Sequence, residues 1–194
     1  MPLSLSGTTG IVTGNIASDA VTTSQILNAN VTPAKLSQPL TLGANLAATG
    51  TSINFTSIPN WVKRITLMFA QVSTNGSSMY QIRLGTSGGI VATGYDSIGT
   101  FSGYSQAGYT STTGFLIPSG SSANFTTGHL VVTNLTGNAW VASISAGIKD
   151  VSNAWSWAGG GFITLGGVLD RVTVTTVNGT DSFDGGSISI MYEG

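Results

Sequence analysis

Ala139-Trp140-Val141-Ala142-Ser143-Ile144-Ser145-Ala146-Gly147-Ile148 alternates, with Trp140, Ala142, Ile144 and Ala146 falling on every second position. Strand side chains point to opposite faces with a period of two, so these four share one face of a strand, whereas a helix would scatter them. Working outward, His129–Leu135 is a strand, turned by Thr136-Gly137-Asn138. Val151–Ala154 is turn-like, and Trp155–Leu165 carries two tryptophans just ahead of Gly159-Gly160-Gly161. In Val168–Val177, Val172 and Val174 alternate with threonine. Asn178–Gly186 is a long turn, and Ser187–Glu193 puts Ile188, Ile190 and Tyr192 on one face. Upstream, Ser52–Phe55 alternates, and Trp61–Val72 places Ile65, Leu67 and Phe69 together. Thr74-Asn75-Gly76-Ser77 predicts a hairpin, because Asn-Gly suits positive φ at both turn positions. Its return strand is Met79–Leu84, with Tyr80, Ile82 and Leu84 on one face. Residues 85–127 are the least regular stretch, where only Gly114–Pro118 is expected as a short edge strand. No helix longer than a turn or two is expected. Strands at this spacing predict an all-β chain, an antiparallel β-sandwich of jelly-roll-like type, over residues 49–194.

Residues 1–48 follow another rule. Every fifth position from Ile11 is aliphatic: Ile11, Ile16, Val21, Ile26, Val31 and Leu36, with Ser6 and Thr41 ending the register. A period of five fits neither helix nor flat strand. One large apolar side chain per five residues cannot offset roughly 1–2 kcal/mol of backbone entropy per ordered residue. The segment is therefore either a disordered tail or an extended shaft that shares its rungs with other copies.

Only 7% of residues are charged, against about 25% in ordinary soluble domains, and the net charge is −1. Six scattered basic residues leave no electrostatic footprint for nucleic acid. Glycine is 27 of 194 residues, and low charge favours association of subunits. With no cysteine there is no disulfide framework and no thiol chemistry. No basic n-region with an apolar run opens the chain, and no stretch of about 20 apolar residues predicts membrane insertion.

Candidate chemistry is sparse. His129, the only histidine, sits inside a strand and is expected on its surface or at an interface. No Gly-x-Ser-x-Gly elbow and no phosphate loop occurs, and the Gly159–Gly161 run lacks a following Lys. Of the seven carboxylates, Asp181 and Asp184 are close in sequence but lie in a glycine-rich turn, where turn-stabilising roles are the default. The pattern of a calcium loop is absent around Asn178, so no metal, no cofactor and no catalytic residue is expected, and the chain is not read as an enzyme. Aromatic side chains remain. Tyr104 and Tyr109, in the irregular stretch, and Trp155 and Trp157, beside the glycine run, are the candidates for contact with a ligand, since aromatic faces stack on sugar rings and anchor interfaces.

Asp19–Ile26 followed by Asn30–Leu36 resembles the short repeats near the N-termini of bacteriophage fibre proteins. The β-part resembles a phage virion module in the blocks Ile53–Ile65, Gly85–Tyr95, Leu165–Gly167, Asn178–Ser187 and Met191–Glu193. The resemblance implies a homotrimer on the surface of the virion. Residues 1–48 would be anchored to other virion proteins, their six rungs closing into apolar layers. The β-domain would project and contact host surface glycan. The chain is short for a complete tail fibre, which raises the alternative of a capsid head fibre or decoration protein with a mainly structural role.

Overall fold

The computed structural model describes residue 38 and residues 40–102, 108–119 and 121–194. The rungs Ile11, Ile16, Val21, Ile26, Val31 and Leu36 lie outside them. The described chain is all-β, built from two antiparallel sheets, with no helix among the described residues. The larger sheet has eight strands. In spatial order these are β1 (Thr41–Ala47), β13 (Phe183–Glu193), β3 (Arg64–Thr74), β9 (Phe125–Thr136), β10 (Ala139–Lys149), β11 (Ala154–Thr164), β6 (Asp96–Ser102) and β7 (Gly108–Ser111). The smaller sheet runs β2 (Ser52–Phe55), β12 (Leu169–Thr176), β4 (Tyr80–Thr86) and β5 (Gly89–Ile90), with β8 (Phe115–Ile117) also paired to β4. Sheets of eight and five strands, with β9, β10 and β11 as consecutive neighbours, differ from the two four-stranded sheets of a simple jelly roll.

One core lies between the sheets. From the large sheet it takes Ile188 and Ile190, Ile65, Leu67 and Phe69, Leu130 and Val132, and Trp140, Ile144 and Ile148. Ile53, Phe55, Tyr80, Ile82, Leu84, Val172 and Val174 face them from the small sheet. The expected inner faces of β3, β4, β10 and β13 are therefore the ones buried, except that Tyr192 is only partly so.

Three expectations from the sequence are corrected. Thr41–Ala47, assigned to the N-terminal segment that ended at residue 48, is a strand paired with β13; Gln38–Gly194 is one compact unit. Asn75-Gly76 does not close a hairpin, because β3 and β4 lie in different sheets. It is a corner instead. Asn75 N–H donates to Ser182 O, Ser182 N–H donates to Asn75 Oδ1, and the Asp181 carboxylate accepts from Ser78 N–H at 2.9 Å. A Cβ on Gly76 would collide with that carboxylate. Finally, residues 85–127 contain β6 and β7, which the pattern did not show.

The edge of β4 shows how the smaller sheet is completed. β8 covers residues 80–82 and β5 covers 85–86, which leaves Leu84 in the gap. The Tyr95 hydroxyl fills it: Leu84 N–H donates to Tyr95 Oη at 2.7 Å, and Tyr95 O–H faces the carbonyls of Leu84 and Val91. Burial raises the Tyr95 phenol to about 12. Tyr95 is thus a core residue, stacked edge-on against Phe115.

Candidate functional site

The two ends of the eight-stranded sheet differ in what they carry. At one end lie Thr41 of β1, Arg64 of β3, Glu193 of β13 and Asn134 of β9, tied by the pairings Thr41↔Tyr192, Glu193↔Arg64 and Arg64↔Thr133. The chain enters the described unit here. At the other end, one groove of about 320 Å³ is lined by Gln71, Phe125, Thr127, Gly147, Ile148, Lys149, Ala154 and Trp155. The strands between are eleven or twelve residues long in β9 and β10, so the ends are roughly 33 Å apart at about 3.3 Å per residue.

Each wall of the groove has a local cause. Phe125 and Thr127 open β9, Gly147 and Lys149 close β10, and Ala154 and Trp155 open β11; the register pairs Lys149 with both Phe125 and Ala154, and Ile148 with Trp155. Gly147 forms an open floor, since a Cβ there would meet nothing closer than Thr127 O at 3.8 Å. The β10–β11 connection is pinned by Asp150, whose Oδ1 accepts from the N–H groups of Ser152 and Asn153 at 2.6 Å each. Those bonds hold the Asp150 carboxyl below its ordinary range, the Ser152 N–H being the larger cause.

Gln71 forms the remaining wall, and it is strained. Its φ is +52°, in the left-handed region that costs a side chain about 1–2 kcal/mol. It stands in a bulge where the pairing of β3 with β9 slips between Phe69 and Val72. Gly186 of β13, at φ +83°, is the only residue type that fits alongside, because a Cβ would strike the Gln71 and Ala70 carbonyls. Gln71 N–H donates to Thr127 Oγ1 at 3.2 Å, which ties the bulge to the groove. Backbone strain of this kind concentrates where a side chain must be aimed for function.

The sequence candidates separate. Trp155 lines the groove, half-buried against the core. Trp157 is 2% exposed, so it offers no face to a ligand and its candidacy is withdrawn. Its ring lies over Gly99 and Gly159, where a Cβ would meet the indole. The Trp157 Nε1–H has no acceptor among the described residues, so packing alone fixes the ring. Tyr109 is 38% exposed and tilts against Trp157 at 6.0 Å, with Phe101 edge-on to both. Tyr104 lies outside the described residues. His129 is exposed on the outer face of the large sheet.

Phe125, Gln71 and Lys149 were missed. They come from three separate strands, and only the register brings them to Trp155. Lys149 is the one ionisable side chain among the described residues lining the groove. The arrangement offers an aromatic and aliphatic surface beside one cationic side chain. Among the described residues no three His, Cys, Asp or Glu gather to bind a metal ion. Oxygens of Asn178, Asp181 and Asp184 are taken by hydrogen bonds from Thr176 Oγ1, Ser78 N–H and Ser73 Oγ. Comparison with family models, with curated proteins and with solved structures found no match for this chain.

Proposed function

We propose that this chain is a structural, non-enzymatic component of a bacteriophage virion. In this reading it is a homotrimeric fibre whose N-terminal segment attaches to the particle, and whose β-domain presents the Trp155 groove to glycan on the host surface. The observation that carries it is the polarity of the large sheet. The chain enters at the Thr41 end, and the strained, aromatic groove lies at the opposite end, where an anchored domain meets the outside. The five-residue ladder supports the attachment half, because its single rungs need neighbouring copies to form closed apolar layers. The groove supports the binding half: Phe125, exposed on the outer face with Lys149, supplies a flat apolar face for a sugar ring, Trp155 borders the groove from the core side, and Thr127, Gln71 and Lys149 supply hydrogen-bonding groups.

The test is binding of the full chain to an array of bacterial surface polysaccharides and oligosaccharides, beside the Trp155→Ala variant. The expected result is a signal that falls by about tenfold or more in the variant, the loss typical of an aromatic anchor. No signal from the native chain, or equal signals from both, overturns the glycan reading.

A capsid head fibre or decoration protein is the second reading, favoured by a large sheet face that carries almost no charge and suits burial within an assembly. Immunogold labelling of virions with antibody against residues 50–194 separates the two: gold at the tail supports adsorption, and gold over the capsid supports decoration.

A further inference from the structure

The outer face of the eight-stranded sheet has a composition that an isolated surface does not need. One row of side chains crosses all eight strands in register: Leu42, Met191, Thr66, Val131, Ser143, Gly160, Ile98 and Thr110. The next row runs Ser189, Met68, His129, Ser145, Ala158, Thr100 and Gly108. Neither row contains an Asp, Glu, Lys or Arg. Leu42 is 71% exposed and Ile98 is 56% exposed, with Val141 and Phe162 exposed beside them. The first charges appear in the row at the Thr41 end, where Arg64 and Glu193 pair with each other at 3.5 Å and Asp96 stands exposed opposite Phe162.

We propose that this face is where the chain packs against further copies of itself, so that the sheets of neighbouring subunits cover one another. The proposal rests on the trimeric reading above and adds the surface that forms the trimer within the β-domain. Strands about 4.8 Å apart, with rows on one face about 6.6 Å apart, give the two uncharged rows roughly 500 Å² of flat area, so flanking side chains complete an interface of the standard size of about 800 Å² per partner. The charge pattern selects the occupant. A strongly acidic or basic partner would find no counter-charge across two full rows, whereas a second copy brings the same neutral surface and no like-charge repulsion. Flat rows of Ser, Thr, Gly, Ala and Val allow close approach, and Met68 and Met191 adapt to the opposing surface. Connectivity points the same way. Residues 1–37 join the described unit at β1, the edge strand of this face, and their ladder also needs neighbouring copies. The groove residues Thr127, Gly147, Phe125 and Lys149 stand in the rows beyond Ser145 on the same face, so contact centred on the two uncharged rows leaves the groove open to a ligand.

The native chain has no cysteine, so one introduced thiol reports on one position. Ser143→Cys probes the centre of the face, and Val151→Cys, at a hairpin tip that is 97% exposed, is the control. Each full-length variant is weighed by light scattering and labelled with a maleimide under native conditions. The expected result is an oligomer in which the thiol at position 143 reacts about tenfold more slowly than that at 151, because only dissociated subunits expose it, and in which dilution to monomer restores the rate. Equal rates in a full-mass oligomer overturn the proposal while leaving the trimer intact. Monomer mass for both variants and for the native chain overturns the proposal and the trimeric reading together.

Discussion

Trp155 and Trp157 stand two residues apart on β11 and point to the same side of the sheet, yet they sit in opposite environments. Trp157 is enclosed. Gly99 and Gly159 give up their side chains to make room for it, and Phe101 closes over it at 5.2 Å. Trp155 lies beyond the last pairing of β11 with β6, at Ser156↔Ser102, so its ring, on the core side opposite Ile148, is only partly covered and the residue borders the groove. Moving two residues along one strand takes a tryptophan from full enclosure to the border of the groove. What differs is the neighbourhood: paired strands with glycines in the middle, and a bulge, an open glycine floor and a pinned turn at the end.

The largest effect that tests this contrast is expected from Trp157→Ala. Removing a fully enclosed indole leaves a cavity its glycine neighbours cannot fill, and the cost should be about 3–5 kcal/mol. At about 2–4 °C per kcal/mol for a chain of this size, thermal denaturation should shift down by about 6–20 °C. Trp155→Ala should lower stability by only about 1–2 kcal/mol, since its ring is half covered, while abolishing the glycan signal. Calorimetry on the pair would break the contrast if the two variants lost equal stability.

Tyr95→Phe comes next. The phenol gives Leu84 the partner that β5 and β8 leave missing, so its loss strands a buried N–H. The expected cost is about 1–3 kcal/mol, measured by chemical denaturation, with no change in ligand binding because neither Tyr95 nor Leu84 lines the groove. A neutral Tyr95→Phe would mean that the β4 edge is completed in another way.

How far the sequence could be read follows from the same local chemistry. β10, β12 and β13 were legible because large side chains face the core and small or polar ones face out. β6 was illegible because its polarity is inverted. Ser97 faces in, its Oγ accepting from Leu116 N–H, and Gly99 faces in to admit the Trp157 ring, while Ile98 faces out. β1 was hidden by the bulge between Leu42 and Asn45, which breaks the alternation. At Asn75-Gly76 the local turn chemistry was right, but Asp181 and Ser182, about a hundred positions away, decide that the turn is a corner between sheets. For the site, Trp155 was visible as an aromatic beside a turn. Gln71, Phe125 and Lys149 were not, since nothing in their own neighbourhoods marks them and only the pairing of β3, β9, β10 and β11 gathers them.

Gln71→Gly sharpens the contrast from the other side. Glycine relieves the left-handed strain, worth about 1–2 kcal/mol, and gives back about 0.5–1 kcal/mol through the freer unfolded chain. The Gln71 N–H to Thr127 bond belongs to the backbone and survives the change. Stability should therefore rise by several tenths of a kcal/mol, while glycan affinity falls as the wall loses its amide. A variant that is more stable and binds equally well would show that the bulge serves the fold and not the groove.

The smallest effect concerns pH, and its sign is set by Asp150. The folded carboxyl titrates below its ordinary value of 3.8, because the Ser152 and Asn153 N–H groups stabilise the ionised form. Such a group contributes its full stabilisation above the unfolded value and loses it as pH falls through the lowered folded value. The turn that carries Lys149 and Trp155 should thus stay pinned from neutral pH down to about 5 and loosen below about 4. Because the carboxylate is fully exposed, global stability should scarcely register the change. Amide exchange at Ser152 and Asn153 should, and glycan affinity should weaken over the same interval. The check is Asp150→Ala, in which those amides lose their protection relative to the free-chain exchange rate at every pH and the acid-dependent step disappears. If protection at 152 and 153 in the native chain survives protonation of the carboxyl, another contact holds the turn, and the shape of the Trp155 end owes nothing to this carboxylate.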